Sequence, residues 1–508
     1  MKYIQGLNRN QLVLFPTSLD DVIEQDNDVR LIDLFVESLN IENIGFRSNY
    51  IENGRPAYHP KDLLKLYIYG YLNSIRSSRK LEKASHVNIE VIWLLKGLNP
   101  DHNTISNFRK DNPKAIKKVF RSTVQIARNF ELIGAKLIAG DSSKFRAQNS
   151  KKNNFNEKKI ERHLAYIENK LKEYEHELEH ADSEGELTDI ERNKKADTIK
   201  KEIAKQHIRK ENYKKLKKQL DETGQSQIST SDPESRQLIT RNNITEVVYN
   251  VQSSVDAKNN IPIDYKVSNN NDSKAMGPML RRAKTILRTN DFTALYDKGY
   301  HTGSEFETAE KLGIDVLVAV PKVATQAPNT AYNVENFIYN KEKDQYICPQ
   351  GNVMTTPGTW HQTRTYRFKR YTTKACVNCP IKAHCSKARR GKAIQRSEYQ
   401  DVIDKNKQRI QKYRDHYRRR QAIVEHPYGT IKRQWGFDYI ITKKSIQRAE
   451  SDIGLMFIAY NLKRLLNILG KNKFMKYLND CIALYLCKLR SLLLKIQGYQ
   501  KFKFSLAN

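Results

Sequence analysis

The segment AKLIAGDSS, residues 135–143, is a short apolar run that ends in a carboxylate, Asp141. Such a run predicts a buried β-strand with an acidic side chain at its exit. Further strand-like runs occupy residues 246–256, 261–267, 292–297 and 314–320. A helical stretch over residues 275–287 separates two of them. Strands mixed with helices predict an α/β domain in which a mixed sheet is flanked by helices.

The chain before this region has the pattern of a helical N-terminal domain, residues 1–130. Within it, PDHNTISNFRKDN, residues 100–112, predicts a polar turn followed by a helix that carries Asn107 and Arg109. A short turn followed by a helix with such side chains is typical of helix-turn-helix DNA readers. Asn107 and Arg109 are therefore candidate DNA contacts, although an ordinary helical bundle fits the same pattern.

Two insertions interrupt the α/β domain, which we place at residues 131–466. The first, residues 150–228, predicts an antiparallel helical hairpin, because apolar side chains recur at alternating steps of four and three. These positions are Ile160, Leu164, Ile167, Leu171, Tyr174 and Leu178. The hairpin is either an arm that contacts a partner chain or DNA, or a solvated appendage. A basic amphipathic helical tail, residues 467–508, follows the α/β domain.

The second insertion, residues 335–395, contains four cysteines. Cys376 and Cys379 form a CxxC pair, Cys385 follows six positions later, and Cys348 lies 28 residues upstream of Cys376. Four thiolates at this spacing can hold Zn²⁺ in a tetrahedral site. A small loop-rich segment without a core of its own would be stabilised by such a metal. The prediction is structural zinc; an iron–sulfur cluster and reduced thiols that pack together are the alternatives.

Composition narrows the class of partner. The 508 residues suggest about three domains, and the formal net charge is +32. A basic excess of this size favours nucleic acid, the main cellular polyanion, although a well-solvated basic surface is the alternative. No run approaches the roughly 18 apolar residues of a membrane span. The N-terminal segment lacks the apolar core of a secretory signal. Six cysteines are too few for a disulfide scaffold. The prediction is a cytoplasmic protein without a membrane partner.

Three carboxylates stand where a fold could bring them together. Asp141 and Asp297 each end a predicted strand, and Glu425 lies in a basic helical segment, residues 418–437. Divalent cations relieve the repulsion between clustered carboxylates. Two Mg²⁺ ions about 3.5–4 Å apart can activate a nucleophile and stabilise the leaving oxygen of a phosphodiester. A carboxylate cluster in a basic frame therefore suits the cutting and joining of DNA, although surface acids and strand caps fit the spacing as well.

Several separated motifs, in order along the chain, resemble DDE transposases of bacterial insertion sequences. The motifs are YHPKDLLKLYIYGYLNSIRSSRKLE (58–82), NTISNFRK (103–110), GAKLIAGDSSKFRAQNS (134–150), SDPESR (231–236), VVYNVQSSVDAKNNIP (247–262), LYDKGYHTGSEF (295–306) and IVEHPYGTIKRQWGF (423–437). The resemblance covers most of the chain. It is to the IS-four superfamily and, within that, to the IS-eleven-eighty-two branch. It implies that Asp141, Asp297 and Glu425 are the metal-binding DDE triad of an RNase H-like catalytic domain.

The signature around the family's glutamate is Tyr, two residues, Arg, three residues, Glu, six residues and Lys. Tyr417 and Arg420 keep the first gap, and Glu425 and Lys432 keep the last. Four residues rather than three separate Arg420 from Glu425, and Gln421 occupies the expected Arg position. A spacing of seven puts Glu425 and Lys432 on one face of an α-helix. The resemblance implies DNA contacts by Tyr417, Arg420 and Lys432, with Lys432 gripping a phosphate.

The resemblance further implies a DNA transposase that uses Mg²⁺, or Mn²⁺, in a two-ion site. Water attacks the phosphodiester at the element's end, and the freed 3′-hydroxyl then attacks target DNA. The implied partners are double-stranded DNA with terminal inverted repeats, target DNA and a second copy of the chain, in the nucleoid of a bacterial cytoplasm. Two rival functions are a host-adopted nuclease with the same metal site and a DNA-binding or scaffolding protein whose triad is inert.

Overall fold

A six-stranded mixed sheet forms the centre of the protein. The computed structural model describes residues 18–46, 56–183, 189–240, 244–321, 326–484 and 486–487, so residues 485 and 488–508 of the predicted tail lie outside it. The strands are β1 (Leu137–Arg146), β2 (Asn154–Phe155), β3 (Ile228–Ser229), β4 (Arg236–Ile239), β5 (Thr245–Asp256), β6 (Ile261–Ser268), β7 (Thr293–Tyr296), β8 (Asp315–Val318), β9 (Ile338–Asn340), β10 (Gln345–Ile347), β11 (Val353–Met354), β12 (Trp360–Gln362), β13 (Arg367–Tyr371) and β14 (Ile394–Ser397).

Helices surround the sheet and account for most of the remaining elements. They are α1 (Asp28–Glu37), α2 (Ile41–Ile44), α3 (Pro60–Leu72), α4 (Ser78–Val87), α5 (Ile89–Leu94), α6 (His102–Asp111), α7 (Pro113–Asn129), α8 (Glu157–Ser183), α9 (Asp189–Thr223), α10 (Met276–Leu287), α11 (Gly303–Leu312), α12 (Lys382–Cys385), α13 (Gln400–Lys412), α14 (Arg414–Arg418), α15 (Arg420–Tyr428) and α16 (Ile446–Leu469). Within the described ranges, none of them is both long and apolar enough to span a membrane.

The sheet has an antiparallel half and a parallel half. β5 pairs with β1 along one edge and with β4 and β6 along the other, all antiparallel. β7 runs parallel to β1, and β8 runs parallel to β7. β5 pairs with β1 as far as Arg146, so β1 continues five residues past Asp141. The predicted end of this strand at Asp141 is therefore wrong, because cross-strand hydrogen bonds extend it through the polar residues Ser142, Ser143 and Lys144 to Phe145 and Arg146.

Alternate residues of the sheet face two different apolar cores. Ile138, Ala294 and Val316 belong to the larger core, which α16 shares with the N-terminal helices and with β6. Their neighbours in sequence, Ala139, Leu295 and Leu317, belong to a smaller core on the opposite face. Ile423 and Val424 of α15 complete that smaller core. The packing therefore fixes α15 against the face that carries Ala139 and Leu295.

A buried ion cluster joins the N-terminal helices to α16. Asp452 on α16 is fully buried, and the Arg76 guanidinium donates to its carboxylate at 2.6 Å. Arg109 lies 3.9 Å from the same carboxylate and donates to the Tyr71 hydroxyl and the Arg76 carbonyl, both at 3.1 Å. Arg109 is 3% exposed, so its predicted contact with DNA is replaced by a structural role. Asn107, on the same helix, is exposed.

The two segments that interrupt the central sheet differ in how they pack. α8 and α9 lie side by side in opposite directions, joined by Lys217–Glu161 and Lys210–Glu168 ion pairs at 3.0 and 3.1 Å. The cysteine-rich segment contains two three-stranded sheets, β9–β11 and β12–β14. It has a small apolar core of its own, contrary to the expectation from its loop-rich sequence. That core consists of Phe337, Tyr346, Met354, Tyr371 and Ile394.

Candidate active site

Asp141 and Asp297 lie level with each other on neighbouring strands. The parallel pairing of β1 and β7 matches Ala139 with Leu295. Two residues farther on, the same register puts Asp141 beside Asp297, which directly follows β7. Asp297 begins a short 3₁₀ turn, and its carboxylate accepts a hydrogen bond from the Gly299 N–H at 2.8 Å. The fold therefore brings these two sequence-predicted carboxylates together.

Close approach of the two strands at this point depends on Gly140. A Cβ atom at Gly140 would lie 2.0 Å from the Tyr296 ring. Tyr296 is the last residue of β7 and immediately precedes Asp297. A larger residue at position 140 would therefore push apart the strands that hold the two aspartates.

The third predicted carboxylate, Glu425, is carried by α15 over the same face of the sheet. Ala139 and Leu295 precede the two aspartates by two positions, so all four side chains project from one face, and α15 packs on that face. Glu425 is exposed, and the Gln421 amide donates to its Oε1 at 2.9 Å. Among the described residues, no three His, Cys, Asp or Glu side chains form a group that could hold a metal ion.

A guanidinium group lies next to Asp141. Nη1 of Arg420, the first residue of α15, is 3.3 Å from Asp141 Oδ2. Burial raises the pKa of Asp141 to about 6; Arg420 and the Ser142 N–H oppose this rise, and the neighbouring Asp297 adds to it. Tyr417 packs against the apolar cluster beneath α15. Arg420 thus acts as a counter-cation for the aspartate pair, which shows that this site attracts positive charge.

Lys432 has a structural role that its sequence position does not reveal. Its ammonium group donates to Ser143 Oγ at 3.1 Å and to the Lys144 carbonyl at 2.8 Å, so it fastens the helical segment to β1. α15 ends at Tyr428, and residues Gly429–Gln434 form a π-helix. Because a π-helix has wider turns, Glu425 and Lys432 do not share one α-helical face, as the spacing alone predicted.

A further carboxylate network that the sequence patterns did not reveal lies beside Asp297. Asp272 Oδ1 accepts hydrogen bonds from the side-chain amides of Asn250 and Gln252, both at 2.7 Å. Gln252 in turn accepts from the Tyr300 hydroxyl at 2.5 Å. Tyr300 closes the turn that Asp297 begins. The network therefore ties this turn to β5, the strand on the other side of β1.

The four predicted zinc ligands line one small pocket. Cys348, Cys376, Cys379 and Cys385 all contribute to its wall. Burial raises the pKa of the Cys385 thiol; Lys392 opposes the rise, and the three other thiols add to it. The thiols are thus close enough to interact electrostatically. In the part of the chain that the structure describes, their arrangement does not form a metal-binding group.

A mixed sheet that presents two neighbouring carboxylates in a strongly basic chain is typical of metal-dependent enzymes that act on nucleic-acid phosphodiesters. Two family models match the chain: the Transposase domain (DUF772) over residues 17–111 and the Transposase DDE domain over residues 347–466. The chain is an insertion-sequence DDE transposase, a metal-dependent enzyme with DNA as its substrate. No curated protein matches it. Glu425 lies within the second matched segment, whereas Asp141 and Asp297 lie outside both.

A divalent cation at Asp141, which the sequence predicts as a metal ligand, is expected to bind more weakly as the pH falls through about 6, the pKa of the Asp141 carboxyl group. The pKa is raised, so the proton competes with a cation below this pH, and each further unit lowers the carboxylate fraction about tenfold. Calorimetric titration with Mn²⁺ at about pH 5 and about pH 7 brackets the transition. The Asp141→Asn variant should lose this pH dependence, and equal affinity of the unmodified protein at both pH values would contradict the prediction.

Proposed function

We propose that this transposase cleaves and rejoins DNA at the ends of an insertion sequence, with Asp141, Asp297 and Glu425 as the ligands of two Mg²⁺ or Mn²⁺ ions. The observation that carries the proposal is the level placement of the two aspartates on the face that α15 covers. The strand order, three antiparallel strands followed by two parallel ones, supports an RNase H-like core. The ordered motifs support the IS-four superfamily and its IS-eleven-eighty-two branch.

The residues present suit a hard divalent cation. Two carboxylates supply the oxygen ligands that Mg²⁺ prefers, and Arg420 already places one positive charge at Asp141 Oδ2. When bound, the ions activate the attacking oxygen and stabilise the leaving one. Glu425, held by the Gln421 amide alone among the described residues, is free to turn on α15 toward the aspartates. Arg420 and Tyr417 stand at the rim, where a DNA phosphate would replace Asp141 as the partner of Arg420.

The proposed partners follow from the same reaction. The substrate is double-stranded DNA with terminal inverted repeats, the acceptor is target DNA, and two copies of the chain act together as a dimer in the bacterial cytoplasm. We assign DNA binding to the N-terminal helices, residues 1–130, with exposed Asn107 as a contact, and catalysis to residues 131–466. Arg109 and Lys432 hold the fold together and are not assigned DNA contacts.

A plasmid that carries the two ends of the element tests this function. We expect the protein to excise the segment between the ends when Mg²⁺ is present and to leave the plasmid intact when the metal is chelated. Nicking without excision would instead support the nuclease alternative. Binding without any cleavage in Mg²⁺ or Mn²⁺ would support an inert DNA-binding protein and would overturn the proposal.

We also propose that the four cysteines around the small pocket hold a structural Zn²⁺. Their convergence from three separate turns of the segment supports this assignment. Metal analysis of the purified protein should find about one zinc per chain. Cys376→Ser should lose this zinc and lower the melting temperature, whereas Cys487→Ser, at an exposed thiol outside the pocket, should do neither. Absence of zinc from the unmodified protein would contradict the assignment.

Asp272 is expected to position Asp297 through the network of Gln252 and Tyr300. Asp272→Asn should lower Mg²⁺-dependent cleavage about 10- to 100-fold with unchanged DNA affinity, because a neutral carboxamide oxygen accepts hydrogen bonds from the Asn250 and Gln252 amides more weakly than a carboxylate oxygen does. Initial cleavage rates and DNA titrations separate the two effects. Asp291→Asn is a matched control, since Asp291 is an exposed carboxylate near the opposite end of β7. A wild-type rate for Asp272→Asn would show that the network does not support the site.

A further inference from the structure

A basic groove runs between α7 and α10, away from the aspartate pair. It has a volume of about 380 Å³, and five of the nine residues that line it are arginines. The arginines are Arg121 and Arg128 from α7 and Arg281, Arg282 and Arg288 from α10 and its C-terminal end. No acidic residue lines the groove.

Two of the five arginines are used by the fold. The Arg282 guanidinium donates to both carboxylate oxygens of Asp264, at 2.5 and 2.7 Å. Arg128 donates to the Ile286 carbonyl at 2.9 Å and so caps the end of α10. These contacts fix the walls of the groove. Asp264 neutralises the charge of Arg282, but neither contact neutralises the three arginines that remain.

The other three, Arg121, Arg281 and Arg288, are exposed. In the part of the chain that the structure describes, their guanidinium groups have no hydrogen-bond or ion-pair partner. Three unpaired guanidinium groups in one groove repel one another at short range. Such an arrangement is stabilised by a bound anion, and the fork of donors on each arginine fits a phosphate.

Every charged residue of the two helices is basic. α7 and α10 together carry eight Lys or Arg residues and no Asp or Glu, in a chain with 57 acidic residues among 508. Asp264 and Glu450 act on Arg282, and Asp264 is paired with both Arg282 and Lys117. The field in the groove is therefore positive and uncompensated.

A structural explanation accounts for only part of this charge. Basic residues in the last turn of a helix interact favourably with its dipole, which covers Arg288 and Lys284 at the end of α10. Arg121 lies in the middle of α7, and Arg281 in the middle of α10, where the dipole has little effect. Their unpaired charges therefore point to a ligand rather than to helix stability.

We propose that this groove binds the sugar–phosphate backbone of DNA outside the active site. The inference rests on the proposed function. α10 begins directly after the Asp272 turn, which lies beside Asp297, and its 12 residues span about 18 Å. Met276, Leu280 and Ala283 of α10 belong to the larger core, so the groove lies on the face of the sheet opposite to that of the aspartates, and its contacts fall on DNA outside the active site. Arginine–phosphate contacts of this kind carry no base specificity.

The salt dependence of DNA binding tests the groove. The triple variant Arg121→Gln, Arg281→Gln, Arg288→Gln should flatten the slope of log affinity against log salt concentration by about 0.9 per lost contact, or between two and three in all. The control is Lys343→Gln, Arg364→Gln, Lys387→Gln, which removes the same charge from exposed positions in the cysteine-rich segment and should change the slope by less than about one. Melting temperatures equal to the wild type show that both variants fold.

The outcomes separate this inference from the proposed function. If the wild type binds and cleaves DNA and the groove variant keeps its slope, the groove inference fails and the function stands. An equal change in both triple variants would show general charge attraction and would also overturn it. If the groove variant loses its dimer at an unchanged slope, the groove is an interface between protein copies. If the wild type does not bind DNA, the proposed function fails together with the groove.

Discussion

Replacing Asp141 or Asp297 by asparagine is expected to lower Mg²⁺-dependent cleavage by at least about a thousandfold, or about 4 kcal/mol in activation free energy. Asparagine keeps the size of the side chain but removes the charge that a hard cation requires. The aspartates face the same side of the sheet at one level, and the carboxylate that remains cannot supply both sets of ligands. Initial rates of strand cleavage on a plasmid with element ends measure the loss.

The matched control for these variants is Asp315→Asn. Asp315 begins β8 of the same sheet, is 69% exposed and pairs with Arg409. This variant should cleave at the wild-type rate. All three variants should bind DNA as the wild type does, which places the loss in the chemical step. An Asp141→Asn enzyme within about tenfold of the wild-type rate would remove Asp141 from the proposed mechanism.

Local sequence pattern is enough to predict most elements of this fold. The run at 246–256 is rich in Val and Tyr and predicts β5, which the structure places at Thr245–Asp256, because β-branched and aromatic side chains favour strands. The steps of four and three predict α8, whose seam residues Ile160 and Ile167 are fully buried. In both cases several buried positions of the element carry apolar side chains, and their spacing along the sequence predicts the element.

The roles of single polar residues are less predictable, because they depend on partners far away along the chain. Arg109 has the sequence context of a DNA-reading helix, yet it joins a cluster in which Arg76 and Asp452 are 376 residues apart. Lys432 likewise has a phosphate-binding spacing, but it bonds Ser143, 289 residues away. No local pattern records these pairings, so the sequence context predicts DNA contacts for both residues instead.

The candidate site also contains residues that the sequence predicts and residues that it does not. Asp141 and Asp297 are predicted from sequence to lie together, since each carboxylate follows an apolar run, and the sheet register places them side by side. Asp272 is not found, because it lies in the polar run NNND, which reads as a simple turn. Its partners Asn250 and Gln252 come from β5 and become visible only when the strand pairs with β1. The sequence therefore predicts the carboxylates but not the contacts that hold them in place.

Asp452→Asn is expected to lower the free energy of unfolding by about 3–5 kcal/mol, because it leaves two buried guanidinium groups without a counter-charge. Arg76 and Arg109 are 5% and 3% exposed, and Asp452 also accepts the Ile441 N–H at 2.8 Å. Urea unfolding followed by circular dichroism measures the loss. The cluster links the N-terminal helices to the segment after Glu425, so cleavage should fall together with stability.

Asp438→Asn provides the matched control at an exposed ion pair. Asp438 and Arg146 are 44% and 52% exposed, so this change should cost less than about 1 kcal/mol.

Burial raises the pKa of Asp452, but Arg76 and Arg109 outweigh the effect of burial, and the pKa of Asp452 is lowered overall. The stabilisation is therefore present above the unfolded-state pKa of about 3.9 and is lost only as the pH falls through the lower folded-state pKa. A loss for Asp452→Asn no larger than that for Asp438→Asn at neutral pH would show that the buried cluster does not stabilise the junction.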